Sequence, residues 1–382
     1  MISLNQMEGN KKSLWVVGIV VVIILIIIGF TSNGKSKETG PIKIGFVGPL
    51  TGDAASIGQN EQVAVALAVE EVNKAGGVNG RPIEVIYEDG KCTNTNANAA
   101  ASKLINMDKV PVILGGVCSG ETMAFTDIAE KSKTVVLSPC SSNPAITNSG
   151  DYIFRNYPSD NYQGSFNADY IYNKLGKKNV AILYIQTDYG TGIRGVFVDS
   201  FKKLGGVIVA DESITPSSKD VRSQLTKIKA SNPDIIYFLG MTEDAITGIK
   251  QARQLGINTP FFGADSWGDA KIWSTLGQAG EGSMYSHVAT PLTPAFTAAM
   301  KTKIGTDNIT ICSPEAYDGL KLLAQVMNKV GTDSEKIKNE LYKTVYTGGV
   351  SAGKIQFDSN GDMVGADYSI EVVHNSKTET LK

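Results

Sequence analysis

From residue 42 onward the chain alternates short apolar runs with amphipathic stretches of helical length, and it does so twice over. Apolar runs without polar alternation suit strands buried on both faces, and the helices between them supply the cover. The pattern therefore predicts α/β layers built on parallel sheets. A first set holds strands over 42–47, after the Asn79-Gly80 turn, and over 111–114 and 134–137, with helices over 61–74, 98–107 and 121–131. A second set follows residues 152–155, with helices over 164–175, 193–204, 221–230 and 244–255 and strands over 180–185, 207–210, 234–239 and 260–263. From about 285 on there remain two or three helices and two late strands, VSAGKIQFD and ADYSIEVVH. The expected architecture is two similar Rossmann-like lobes, one after the other.

Composition removes several function classes. The 382 residues are 42% hydrophobic and carry a net charge of −2, which suits a globular body and argues against a nucleic-acid partner. Only two histidines occur, His287 and His374, so a histidine-rich metal site is excluded. The cysteines, at 92, 118, 140 and 312, show no C-x-x-C spacing, and no metal or cofactor is expected.

Residues 14–30, LWVVGIVVVIILIIIGF, form an unbroken apolar stretch behind Lys11 and Lys12. A helix of that length reaches roughly 25 Å, enough for a short membrane span with its flanks. No polar face exists along the run, which excludes a buried core helix. The flank offers no small-x-small cleavage site and no cysteine for a lipid, so an uncleaved anchor over 1–33 is favoured over a removed signal peptide. The Gly/Ser/Lys-rich segment to residue 40 reads as a linker, counted from 34.

Catalytic motifs are few. Gly190-Thr-Gly-Ile-Arg-Gly195 matches the dinucleotide fingerprint G-x-G-x-x-G, with Asp211 at the end of the next strand. Residues 186–189 separate it from its strand, however, and Asp188 would set negative charge beside a pyrophosphate; a glycine-rich turn is the better reading. No G-x-S-x-G elbow and no P-loop occurs, and acidic residues are scattered.

Polar residues at strand ends suggest binding instead. Ser119 follows the 111–114 strand and opens a helix, Cys140 and Ser142 follow 134–137, and Asp265 and Trp267 follow 260–263. Ligands of open parallel sheets bind outside the carboxyl ends of strands. A serine at a helix N-terminus suits a carboxylate, and Asp265 suits an ammonium. Each of Ser119, Ser142 and Asp265, taken alone, reads as readily as a simple helix cap.

The segment IKIGFVGPLTGDAASIGQNEQVAVALAVEEVNKAGGVNGRPIEVIYEDGKC resembles the opening of the leucine/isoleucine/valine-binding protein family, the type I periplasmic substrate-binding proteins of ABC transporters. The likeness continues in order through GGVCSGET, LSPCSSNP, YIFRNYPSD, DYGTG, GMTEDAITGIKQARQLGI and AYDGL. It implies a non-enzymatic protein whose two lobes, joined by three crossovers, close on an amino acid and deliver it to permease subunits. Residues 41–157 and 285–346 would form one lobe and 158–284 and 347–382 the other, with crossings near 156–159, 283–287 and 346–350. Ser119 and Ser142 would hold the ligand carboxylate. The Cys140 carbonyl, Ser142 and Asp265 would hold the ammonium, Tyr189 would close over it, and Tyr317 would lie near the cleft.

Positions that are aromatic in branched-chain binders align with Ile57 and Met241, and Trp267 and Glu121 fall nearby. The head-group contacts are mostly retained while the side-chain pocket is not a copy; an aliphatic amino acid leads, with other amino acids, amides or urea-like ligands open, and a membrane-anchored sensing ectodomain without transport is the alternative role. The relatives bridge the pair matching Cys92 and Cys118, whose loops leave the same ends of two strands, as a disulfide in an extracytoplasmic body allows. Nothing in the sequence decides whether Cys140 and Cys312 pair.

Overall fold

The computed structural model describes residues 39–381, so the apolar run at 14–30 lies outside the described residues. Among the described residues no helix is long and apolar enough to cross a membrane. Residues Pro41–Lys382 form a compact unit with its own cores.

The first sheet contains β1 (Ile42–Gly48), β2 (Ile83–Asp89), β3 (Val112–Gly115), β4 (Val135–Ser138) and β5 (Ile153–Arg155), in the order β2-β1-β3-β4-β5 and parallel throughout. Side chains alternate across it: Ile44 and Phe46 of β1 and Val112 and Leu114 of β3 enter the core on one face, Val47 and Ile113 that on the other. Helix α1 (Ala55–Lys74) covers the first face, while α2 (Asn94–Asn106) and α3 (Ser119–Ser132) cover the second. Because Ile113 is fully buried, truncating it to alanine should cost about 2–5 kcal/mol.

The second sheet has seven strands. Its parallel part comprises β6 (Asn179–Ile185), β7 (Val207–Ile214), β8 (Ile235–Leu239), β9 (Phe261–Gly263) and β10 (Met284–Val288), in the order β7-β6-β8-β9-β10. Helices α4 (Asp160–Asp169), α5 (Asp188–Lys203), α6 (Arg222–Ala230), α7 (Thr242–Gln254) and α8 (Ala270–Leu276) alternate with them. Farther along, α9 (Pro294–Ile304), α10 (Ser313–Val330) and α11 (Ser334–Leu341) return to the first lobe, where α10 packs on α1.

The late strands depart from the expected pattern. Segment 350–358 supplies only β12 (Lys354–Ile355), paired with β11 (Tyr346–Thr347) in a ribbon whose Tyr346, Ile355 and Phe357 pack into the first lobe's core. Strand β13 (Tyr368–His374) runs antiparallel to β10, and β14 (Lys377–Thr380) antiparallel to β13, so the second sheet is mixed.

These pairings move two of the three crossings. Residues 284–288 belong to the second sheet, so the chain leaves it after Val288 rather than at 283–287. It returns just before Tyr368, not at 346–350, because the apolar residues around 346–357 are buried under the first lobe. The returning segment is hydrogen-bonded both to the chain leaving the second sheet and to the end of β5: Ala289 N–H donates to the Asp367 carbonyl at 2.8 Å, and Met363 N–H to the Arg155 carbonyl at 3.1 Å.

Candidate functional site

The carboxyl ends of both sheets face each other across a cavity lined by residues of both lobes. The first lobe contributes Ala54, Ile57, Val117, Cys118, Ser119, Cys140, Ser142 and Ile311; the second contributes Tyr189, Met241, Asp265 and Ser266. Seven of the residues that the sequence placed at the ligand thus converge: Ile57, Ser119, Cys140, Ser142, Tyr189, Met241 and Asp265. Trp267 and Tyr317 do not line the cavity. The Trp267 indole is fully buried in the second lobe, edge-on to Phe238 at 5.8 Å and to Trp273 at 5.7 Å, and Gly263 leaves it room. Tyr317 joins α10 to α1: its hydroxyl donates to Glu71 Oε2 at 2.5 Å, and its ring packs on Phe296. Proximity in sequence to a motif placed both residues near the cleft; the direction of their side chains on a helix takes them away from it.

Ser119 stands in the first turn of α3, where backbone N–H groups lack intrahelical acceptors and the helix dipole favours negative charge. Its Oγ accepts the N–H groups of Ser142 at 3.2 Å and Asn143 at 3.1 Å, which leaves its own hydroxyl proton for a ligand. Glu121 fixes this turn from behind by accepting the N–H groups of Cys92 (2.9 Å), Val117 (3.1 Å) and Cys118 (3.0 Å). Burial pushes its carboxyl up to about 7, opposed by those three hydrogen bonds.

Two disulfides staple the first lobe's rim. Cys92 and Cys118 are bridged with Cα atoms 5.4 Å apart, across the end of β1, which lies between β2 and β3. Cys140 and Cys312 are bridged as well, at 5.3 Å, tying the loop after β4 to the start of α10. The sequence separation of 172 hid that pair. Glu61 lies with its carboxyl within 4.8 Å of these sulfurs, but the disulfide leaves no thiolate for a metal.

The second lobe's side of the cavity is an acidic network. Tyr157 donates to Asp265 Oδ2 at 2.6 Å, Ser266 N–H to Asp265 Oδ1 at 2.8 Å, and the Tyr189 hydroxyl lies 3.1 Å from Asp265 Oδ1. Ser142 donates to Asp160 Oδ2 at 2.9 Å and accepts the Asp160 N–H on its carbonyl at 2.8 Å. The Gln163 amide sits between the acids; oriented so that its oxygen accepts the Asp265 N–H at 3.0 Å and the Ser286 hydroxyl at 2.9 Å, its nitrogen donates to Asp265 Oδ1 at 3.2 Å and Asp160 Oδ1 at 3.3 Å. Burial pushes both carboxyls above the usual carboxylate range, and the charge of Asp265 adds to the rise at Asp160. The fully buried Arg155 braces the frame, pairing bidentately with Asp362 at 2.6 and 2.9 Å and donating to the Asn143 carbonyl at 2.8 Å.

Sequence reasoning missed Asp160, Tyr157 and Gln163. All three lie in or just after YIFRNYPSD, whose density of polar residues in a buried stretch was the available signal. It also missed the apolar wall residues Val117 and Ile311, which no pattern marks.

A family model described as periplasmic binding protein matches residues 41–377. The leucine-, isoleucine-, valine-, threonine- and alanine-binding protein of Pseudomonas aeruginosa is 30% identical over 360 residues, covering 93% of this chain and 95% of that protein. A leucine-binding protein of Thermotoga maritima superposes with a TM-score of 0.82 at 28% identity, over 89% of this chain and 98% of that one. A branched-chain amino acid transporter substrate-binding protein of Streptococcus pneumoniae, solved with isoleucine, gives 0.81 at 29% identity, over 89% and 99%.

Proposed function

We propose, from the premise that this chain belongs to the periplasmic binding protein family, a non-catalytic solute-binding family, that it captures an aliphatic α-amino acid between its lobes outside the cytoplasm and presents it to an ABC permease. The observation that carries this reading is the polarity of the cavity. One end offers hydroxyl and helix N-terminal donors at Ser119, the other a buried acid at Asp265, and Ile57, Val117, Met241 and Ile311 make an apolar wall beside them. A zwitterion with a hydrocarbon side chain satisfies all three at once.

In this reading the ligand carboxylate takes the Ser119 hydroxyl and the first-turn N–H groups of α3, a charge-assisted arrangement. Its ammonium takes Asp265, the Ser142 oxygen and the Cys140 carbonyl, with Asp160 one hydrogen bond behind Ser142. Arrival of that positive charge compensates the buried acids, whose ionised forms burial disfavours. Tyr189 covers the ligand from the second lobe, and closure removes the water that would otherwise screen these contacts. The apolar run at 14–30 would anchor the body to the membrane near the permease.

Thermal-shift screening of residues 40–382 against the twenty amino acids tests the assignment, since a ligand that binds only the folded state raises its stability. Leucine, isoleucine and valine should give the largest shifts and be recovered unaltered. A flat response to all twenty, or a product appearing on incubation, would overturn it.

A further inference from the structure

The glycine run at 190–195 is left unused by amino-acid contacts, and its three glycines do different things. A Cβ on Gly190 would lie 2.2 Å from the Ile185 carbonyl oxygen, so this glycine lets α5 pack on the end of β6. A Cβ on Gly195 would meet nothing within 4 Å. A Cβ on Gly192 would lie 2.5 Å from Asn143 Nδ2, 2.9 Å from its Cγ and 3.2 Å from Pro144 Cδ, all groups of the opposite lobe.

Asn143 has no freedom to step aside. Its Oδ1 accepts the Ala145 N–H at 2.7 Å, and its Nδ2 donates to the Asp188 carbonyl at 2.5 Å. Its own N–H donates to Ser119 Oγ at 3.1 Å, while its carbonyl accepts from Arg155. Beside it, Gly120 in the first turn of α3 allows a similar approach: a Cβ there would lie 2.7 Å from Asp188 Oδ2. The lobes therefore approach each other at two glycines: Gly120 of α3 against Asp188, and Gly192 of α5 against Asn143 and Pro144. Neither Gly192 nor Asn143 lines the cavity.

We infer that Gly192 and Asn143 are the closure lock of the cleft, positioning residues whose contact forms only when the lobes shut. The amide of Asn143, pinned within the first lobe, docks on the Asp188 carbonyl of the second, and the missing side chain at 192 gives it room. The inference rests on the proposed function, in which lobe closure is the binding step. It also couples closure to recognition, because the residue that locks the lobes holds Ser119 through its own N–H.

Gly192→Ala tests the lock with Gly195→Ala as control, both in residues 40–382. Alanine favours helix over glycine, so neither variant should melt below wild type without ligand. Wild type and Gly195→Ala should bind leucine equally in calorimetry and contract in small-angle scattering when saturated. Gly192→Ala should bind about tenfold more weakly or worse, mainly through faster dissociation, and keep its ligand-free radius of gyration. A Gly192→Ala protein that binds and contracts like wild type overturns the lock alone. A ligand-free melting temperature well below that of Gly195→Ala would assign the loss to packing within one lobe and also overturns it. A wild type that neither binds nor contracts overturns the lock together with the proposed function.

Discussion

The two lobes build their halves of the site by different means. On the first lobe, backbone N–H groups and hydroxyls point at the cavity from loops stapled by Cys92–Cys118 and Cys140–Cys312. On the second, no disulfide is present among the described residues; buried acids, tyrosines and an amide hold one another through hydrogen bonds. The first half is positioned covalently and carries no net titration at its contact atoms. The second is positioned electrostatically, so its geometry depends on protonation and on a cation arriving. The contrast suits a receptor that keeps one half preformed and completes the other on binding.

The largest expected effect comes from cutting the staple that closes the longer loop. On the chain-entropy estimate, Cys140–Cys312 with its separation of 172 contributes about 5 kcal/mol, and Cys92–Cys118 with its separation of 26 about 3.5 kcal/mol. Cys140→Ala paired with Cys312→Ala should therefore lower the denaturation midpoint more than removal of the other pair. Equal midpoints would show that the second bridge adds nothing beyond local packing.

On the other lobe, Asp265→Ala should weaken leucine binding by about 2–5 kcal/mol, since it leaves an ammonium uncompensated in a closed cleft. Calorimetry would read this against an unchanged fold by circular dichroism. An unaltered Kd would shift the ammonium contact to Asp160.

Protonation sharpens the comparison further. Burial raises the carboxyls of Glu121 to about 7 and Glu315 to about 8 from an ordinary 4.5, and holds Glu61, Asp160 and Asp265 above their usual range. The folded state then binds more protons than the unfolded one. Stability is fully present below about pH 4.5 and is lost as pH rises toward 7 and 8, by about 1.4 kcal/mol per pH unit for each group between its two values. Saturating leucine should flatten only the share owed to Asp160 and Asp265. Denaturant titrations from pH 5 to pH 8, with and without leucine, measure it; stability that rises with pH would contradict the protonated acids.

The smallest effect is expected at Tyr317. Because its hydroxyl bridges α1 and α10, Tyr317→Phe should leave leucine affinity within about 0.5 kcal/mol of wild type. A larger loss would return it to the cleft.

Ser119, Ser142 and Asp265 were legible because each follows an apolar run at the end where parallel strands present ligands. Asp160 and Tyr157 were not: they lie in a connecting segment with no periodicity, and only the meeting of two lobes turns that segment into a wall. Trp267 shows the opposite error. An aromatic two residues from a contact acid invites a role in binding, yet its indole fills a core that Gly263 leaves open for it.

By itself the sequence determined the α/β layering, the direction of the strands that carry the site and the placing of three polar residues, Ser119, Ser142 and Asp265, at the cavity. Those follow from local periodicity and from the residue types at strand ends. Tertiary structure alone decided where the chain crosses between lobes, that Cys140 meets Cys312, and that Gly192 faces Asn143. Each of these joins residues far apart in sequence, and such proximity arises from packing that no local pattern encodes.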